Sequence, residues 1–486
     1  MLTISQAFVA LVISLLIVQF LKLRKACQQL PPGPTPLPLL GNLVHLNFQF
    51  HRDLLMELAK THGNIYTLWL GWTPVIILNG FQAVKDGLTT HPGDVSGRMV
   101  SPFFRAMAKG KGIILASGRS WKQQRRFGIM TLHNLGMGKK GLEYCVQEEA
   151  SHLVEFFVNL KGRPVDPSFP LFHSISNLIC DLVFGYHFSD EDKTFHELIS
   201  IIHTTSCMSL PQLYEIIPWL MHHLPGPHKK ALSCYDVLSS FARREIRRHK
   251  ERGIPDEPQD FIDFYLAEME KVSVCSYDED NLVCVINDLF LSGSETSSTT
   301  LYWGLLYMVV HPDIQEKVQK ELDAVLGSSQ LICYEDRRKL PYTNAVVHEI
   351  QRFSNIVFVG VPRVCVRNTT LLGFPLKKGT IIMPNIASVL YDPEQWETPR
   401  QFNPGHFLDK DGNFINREAF LPFSAGKWHR VCLGEHLART ELFIFFANLL
   451  RAFTFQLPEG VTKINTEPIL GGTLQPHPYR VCAIPR

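Results

Sequence analysis

Apolar residues return every three or four positions along most of the chain, the period of helices with one buried face. The pattern predicts helices around Asp53–His62, Met137–Leu160, Leu171–Phe184, Ala231–Arg252 and Pro312–Leu326. A few strand-like runs break the series: Ile65–Leu70 with Pro74–Leu78, Thr370–Leu376 with Thr380–Met383, and Arg480–Ile484 near the end. No repeat of fixed period is visible. A mainly α (α+β) fold follows, a helix-rich body with small β-sheets.

The opening segment departs from this pattern. Met1 to Leu21 carries no charged side chain, and roughly 20 apolar residues suffice for a helix to span a bilayer. Lys22, Arg24 and Lys25 follow at once, and positive flanks stay on the cytoplasmic side. A cleaved signal peptide would carry its charges before the apolar run and a small-residue cleavage site after it. The expectation is therefore a transmembrane anchor over 1–21, a basic and proline-rich hinge over 22–36 built on Pro31-Pro32-Gly33-Pro34, and a cytosolic body over 37–486.

Composition narrows the function. With 48 Lys+Arg against 46 Asp+Glu the formal charge is +2, too balanced for a protein that holds nucleic acid through a basic surface. Hydrophobic residues at 45% and charged residues at 19% exclude wholesale disorder. The 11 cysteines are odd in number and none forms a CxxC pair, which argues against a disulfide framework or a zinc site. No GxGxxG or GxxxxGK[ST] loop occurs, so the chain has no dinucleotide or triphosphate cradle by these tests.

Two constellations carry candidate chemistry. The first lies in a helix expected from about Asp278 to Val310, apolar at both ends but reading Ser292-Gly293-Ser294-Glu295-Thr296-Ser297-Ser298-Thr299-Thr300 in the middle. These are poor helix formers, with glycine alone costing about 1 kcal/mol relative to alanine. Small residues leave space beside the helix, and hydroxyls that back-bond to carbonyls open a local bulge. Glu295 and Thr296 then offer a carboxyl and a hydroxyl in a dry setting; the plainer alternative is a helix–helix contact built on small residues. The second constellation is Phe423-Ser424-Ala425-Gly426-Lys427-Trp428-His429-Arg430-Val431-Cys432-Leu433-Gly434, just before a helical run over Glu435–Leu450. A cysteine beside a helix N-terminus has the positive dipoles that keep a thiolate ionised, and flanking glycines let the backbone approach something flat.

Taken together in order, the apolar start with its PPGP hinge, Trp121-xxx-Arg125, Gly293-x-Glu295-Thr296, Glu349-xx-Arg352, Pro399-xx-Phe402 and Arg430-x-Cys432-x-Gly434 resemble a microsomal cytochrome P450 of family 2 over essentially the whole length. Leu340–Val346 and Ala438–Phe446 are most similar to subfamily J, whose members are associated with oxidation of polyunsaturated fatty acids such as arachidonate and of some xenobiotics.

The resemblance implies a haem-thiolate monooxygenase on the cytosolic side of the endoplasmic reticulum membrane, inserting one oxygen atom by epoxidation or hydroxylation. Heme b (iron protoporphyrin IX) is the implied cofactor, with Cys432 as axial thiolate, a ligand that pushes electron density toward iron. Thr296 with Glu295 is expected to orient dioxygen and deliver protons. Trp121 and Arg125, on one helical face, together with Arg98, Arg363 and Arg430, are expected to hold the haem propionates. Leu115, Ser292, Val357, Val361 and Leu474 are expected as substrate walls, apolar for the most part as a lipophilic small molecule requires.

Glu349 and Arg352 read as structural, with His406 a candidate third member of their network. Electrons are expected from NADPH through NADPH-cytochrome P450 reductase, and from cytochrome b5. Lys122, Arg126, Lys139, Lys140 and Lys427 are candidates for the face that steers an acidic partner.

One departure from the family pattern stands out. The usual F-x-x-G-x-R-x-C-x-G carries two extra residues here, Trp428-His429, so Phe423 and Gly426 sit two positions farther from Cys432. The bend that shields the sulfur is expected to distort or loop out, and His429 becomes a rival iron ligand. Two other readings remain: a haem- or ligand-binding protein without turnover, disabled by this insertion, and a peroxide isomerase that needs no reductase.

Overall fold

The computed structural model describes residues 4–47, 50–137, 140–189, 191–206, 214, 217–271, 276–327, 331–426 and 429–486. The helices are α1 Ile4–Cys27, α2 Arg52–His62, α3 Phe81–Thr89, α4 Pro102–Ala108, α5 Gly118–Asn134, α6 Lys140–Asn159, α7 Ser168–Phe184 and α8 Lys193–Ser206. They continue as α9 Pro218–Met221, α10 Pro227–Arg252, α11 Phe261–Lys271, α12 Glu279–Val310, α13 Pro312–Val325, α14 Pro341–Ser354, α15 Ile386–Leu390 and α16 Glu435–Ala452.

The axis of the body is α12, 32 residues long. Its start is capped by Asp278, whose extended backbone lets the carboxylate accept from the Asn281 N–H at 2.7 Å, with Glu279 and Asp280 in the first turn toward the positive dipole end. It stops where Pro312 forces His311 out of the helical region (φ −122°, ψ 70°), and the same proline opens α13. Alongside runs α7, buried along almost its whole length. Gly293 permits this approach: a Cβ there would meet Ile179 Cδ1 at 2.6 Å. The plainer reading of the small-residue stretch, a close helix contact, thus holds at Gly293.

The main sheet has five strands in the order β1 (Ile65–Leu70), β2 (Thr73–Leu78), β7 (Ile381–Pro384), β4 (Arg363–Val364), β3 (Gly97–Arg98). Only the β2–β7 pair is parallel; the others are antiparallel. The β3–β4 pair sets Arg98 directly opposite Arg363. Two-stranded ribbons are formed by β5 (Thr369–Leu371) with β6 (Phe374–Leu376), β9 (Pro468–Ile469) with β10 (Gln475–Pro476), and β8 (Phe453–Gln456) with β11 (Cys482–Pro485).

Three expectations change. The run Thr370–Leu376 is not one strand but a hairpin, because Leu372 and Gly373 both adopt positive φ (48° and 85°). The hydroxyls of the Ser292–Thr300 stretch do back-bond to carbonyls, yet they open no bulge: the α-helix is continuous. The transmembrane span expected over Met1–Leu21 is not shown, since among the described residues no helix is long and apolar enough to cross a membrane. The helix there nevertheless exposes Val9, Leu11, Ile13, Leu15, Ile17 and Leu21. All nine described cysteines are free; Cys207 and Cys275 lie outside the described residues.

Candidate active site

Cys432 closes a loop. Its N–H donates to the Phe423 carbonyl at 3.2 Å, and Ser424, Gly426 and Arg430 turn the chain with φ of 72°, 118° and 66°. Lys427 and Trp428, the latter one of the two added positions, lie outside the described residues, as does Lys139. Gly434, two residues on, caps α16. Cys432 has accessible surface, yet burial is the largest cause acting on its thiol and pushes it up. The Gly434 backbone N–H pulls the other way, Glu435 raises it further, and Arg125 lowers it. A residue with exposed surface whose thiol is crowded by protein atoms suits a cleft wall.

Four guanidiniums converge around this loop. Arg430 stacks over the Trp121 ring at 3.8 Å and donates to the carbonyls of Ser96 (2.8 Å) and Ala116 (2.6 Å). Arg98 donates to the carbonyls of Ile114 (3.1 Å) and Val361 (2.9 Å). Arg363 reaches Ser424 Oγ and the Ala425 carbonyl, and Arg125 the Val431 carbonyl at 2.7 Å. Burial followed by mutual repulsion depresses Arg98 to about 9, with Arg363 and Arg125 as its neighbours, and Arg430 to about 8. Burial and Arg125 bring Arg363 to about 10. Like charges facing one another across a strand pair are destabilising unless something anionic joins them. Arg363 Nη1, Arg125 Nε and Trp121 Nε1 are buried without a hydrogen-bond partner. The His429 ring lies 6.4 Å from the Trp121 ring.

On α12, Thr296 is half-buried and Ser292 exposed; Thr296 Oγ1 donates to the Ser292 carbonyl at 2.7 Å. Glu295 and Thr296 are not brought to one point. Consecutive helical residues diverge by about 100°, and the Glu295 carboxylate accepts from Thr299 Oγ1 (3.2 Å), Thr473 Oγ1 (2.9 Å) and Gln475 Nε2. Leu474, buried between those two partners, donates its N–H to the Ile356 carbonyl at 2.8 Å, which sets it beside half-buried Val357. Leu115 packs on the cluster of Ala108, Tyr235 and Cys284 together with Leu291 of α12. Val361 is exposed at 42%, its carbonyl held by Arg98.

Three acidic residues escaped the sequence reading. Asp288 on α12 takes the N–H groups of Ile113 (2.6 Å) and Ile114 (2.9 Å) on one carboxylate oxygen, and burial pushes it up to about 7 against those two bonds. It thereby fastens the loop that carries Leu115. Glu441 on α16 accepts from Ser297 Oγ of α12 at 2.5 Å and is also pushed up to about 7 by burial. The signal was a lone acid inside the apolar run Leu282–Leu291 for Asp288, and an acid at the edge of the apolar run Leu442–Phe446 for Glu441. The third is Glu321, whose carboxylate takes the N–H groups of Tyr342 and Thr343 at the start of α14. His406 does join the Glu349–Arg352 pair: Arg352 makes two 2.7 Å bonds to Glu349, whose carboxylate lies 3.2 Å from His406 Nδ1, all fully buried.

Among the described residues one group, His249, Asp260 and Asp263, has metal-ligand spacing. A cation already occupies that role, since Arg252 Nη2 lies 2.6 Å from Asp263 Oδ1.

The family model for cytochrome P450 matches residues 31–483. The chain belongs to the cytochrome P450 family. It is 43% identical over 478 residues to Cytochrome P450 2J2 of Homo sapiens, covering 97% of this chain and 94% of that one. Against Cytochrome P450 2J1 of Oryctolagus cuniculus the identity is 44% over 473 residues, 96% of this chain and 93% of the other. Cytochrome P450 2H2 of Gallus gallus is 41% identical over 461 residues, 94% of each chain. As a cytochrome P450 the chain is a monooxygenase enzyme and its cofactor is haem b; the family generally draws electrons from NADPH through a reductase. The residues present fit that cofactor: a convergent set of cationic, partly unpartnered donors suits its two carboxylates, and the cleft-wall sulfur suits its metal.

Proposed function

We propose that this cytochrome P450 oxidises polyunsaturated fatty acids of the arachidonate type, or similarly lipophilic xenobiotics, by epoxidation or hydroxylation. Cys432 is the thiolate ligand in this reading. Burial raises its thiol, so a cation is needed to hold the sulfur ionised, and a metal at that sulfur supplies it. Arg98, Trp121, Arg125, Arg363 and Arg430 hold the propionates. The bound haem supplies the activation of dioxygen.

The chain's own residues do the rest. Thr296 donates its hydroxyl proton to the Ser292 carbonyl, which fixes the orientation of Oγ1 and leaves its lone pairs to accept a hydrogen bond in the cleft. Leu115, Ser292, Val357, Val361 and Leu474 enclose the substrate and exclude water, and the Asp288 clamp holds the first of these in place. Exposed Lys122 and Arg126 on α5 and Lys140 at the start of α6 belong to the face that receives the reductase and cytochrome b5. The exposed apolar face of α1 attaches the protein to the endoplasmic reticulum membrane, residues 22–36 form the hinge, and 37–486 the catalytic body.

The observation that carries this reading is the buried guanidinium cluster around an accessible cysteine. The test uses full-length protein with reductase, NADPH and arachidonate under labelled dioxygen. One labelled oxygen atom per product, dependent on NADPH, supports the reading. Product formed from a lipid peroxide without NADPH would favour the isomerase, and no product from any lipid or drug panel would leave a binding protein.

A further inference from the structure

The Glu295 carboxylate sits in a buried polar network that joins α12 to the segment around Leu474. Thr473 Oγ1 and Gln475 Nε2 both donate to its Oε1, and Gln475 Nε2 also reaches Thr299 Oγ1 (2.9 Å) and Thr473 Oγ1 (2.8 Å). Every member is buried. Thr473 and Gln475, on either side of Leu474, both reach Glu295 of α12. Leu474 is further fixed by its own backbone: its N–H goes to the Ile356 carbonyl, and its carbonyl accepts from Trp303 Nε1 at 2.8 Å. The segment has little regular structure of its own, a two-residue ribbon with β9. To these backbone holds the Glu295 carboxylate adds the side-chain bonds from Thr473 and Gln475 that tie the segment to α12.

We infer that Glu295 is a positioning residue that sets where on the substrate oxidation occurs, by holding the Thr473–Gln475 turn and with it Leu474. This rests on the reading of Leu474 as a substrate wall, and departs from the expectation that Glu295 works on the proton at Thr296. The two roles separate in the conservative variant. Glu295→Gln keeps an oxygen that accepts from Thr473 and Gln475 but has no acid proton to exchange.

The test compares haem-loaded full-length Glu295→Ala, Glu295→Gln, Gln475→Leu, Thr473→Val and Leu474→Ala. Amide exchange at Leu474 is read first, independently of turnover; it is expected to rise about tenfold or more in Glu295→Ala and Gln475→Leu. With arachidonate, both are expected to shift the product distribution in the direction Leu474→Ala shifts it. Product formed per NADPH stays within about twofold of wild type, and Glu295→Gln restores the wild-type distribution. Unchanged Leu474 exchange in Glu295→Ala and Gln475→Leu overturns the inference. So does a tenfold loss of product per NADPH in both Glu295→Ala and Glu295→Gln with the distribution intact. If Glu295→Ala fails to hold haem, Gln475→Leu and Thr473→Val decide the question. If wild type oxidises no lipid, the proposed function fails while the exchange measurement still decides this inference.

Discussion

Asp288 offers a perturbation whose size follows from the coordinates. One buried carboxylate oxygen accepts the N–H groups of both Ile113 and Ile114. Gly112 leaves room for it, since a Cβ there would come within 2.4 Å of that oxygen. Replacing Asp288 by alanine strands two buried donors at about 1–3 kcal/mol each. Taking the lower half of that range, the local opening free energy of the loop falls by about 3 kcal/mol, and the two amides exchange with solvent roughly 10²-fold faster.

Asp288→Asn keeps the accepting oxygen and abolishes the titration. Burial raises the folded-state value to about 7 against about 3.9 unfolded. The folded state therefore binds the proton more tightly. The stability this contributes is complete below about pH 4 and lost as pH rises toward 7, roughly 4 kcal/mol in all. The stability of wild type minus that of Asp288→Asn should fall across that window and then level. Hydrogen exchange read at Ile113 and Ile114, with thermal melts across pH, measures both. Unchanged exchange in Asp288→Ala, or a difference from Asp288→Asn that is flat between pH 4 and 7, would refute the clamp.

Other outcomes follow from the same geometry. Arg352→Ala strands the buried Glu349 carboxylate beside His406. It should cost about 3–5 kcal/mol, read as a collapse of the haem-to-protein ratio on expression. Arg363→Gln and Arg430→Gln should each speed haem transfer to an apoglobin acceptor about 10- to 100-fold, as expected for loss of a charge-assisted bond. Unchanged transfer in both would remove the arginines from cofactor binding. Deleting Ile4–Leu21 should lower the share of protein that sediments with membranes relative to the full chain, with the haem spectrum intact.

Local signals carried far in this sequence. Strand β1 falls on the strand-like run Ile65–Leu70, and α12 begins and ends where Asp278 caps it and His311-Pro312 stops it. What escaped depends on long-range partners. Asp288 finds Ile113 at a separation of 175 residues and Glu295 finds Gln475 at 180, and no window of periodicity reports such pairs. The hairpin at Leu372-Gly373 was missed because an apolar run hid two positive-φ residues. The serine- and threonine-rich stretch suggested a bulge, but packing of α7 against α12, close at Gly293, outweighs the weak local propensity and keeps the helix regular. The motif around Cys432 was legible despite its two extra residues because Arg430, Cys432 and Gly434 keep their spacing in the chain.

The most direct measurement is the carbon monoxide difference spectrum of the reduced, haem-loaded full chain beside its Cys432→Ala variant. The strongly red-shifted Soret band of a thiolate-ligated haem is expected in the wild type and lost in the variant. A wild-type band in the position given by a nitrogen ligand, or a band unchanged by Cys432→Ala, would contradict sulfur ligation at Cys432.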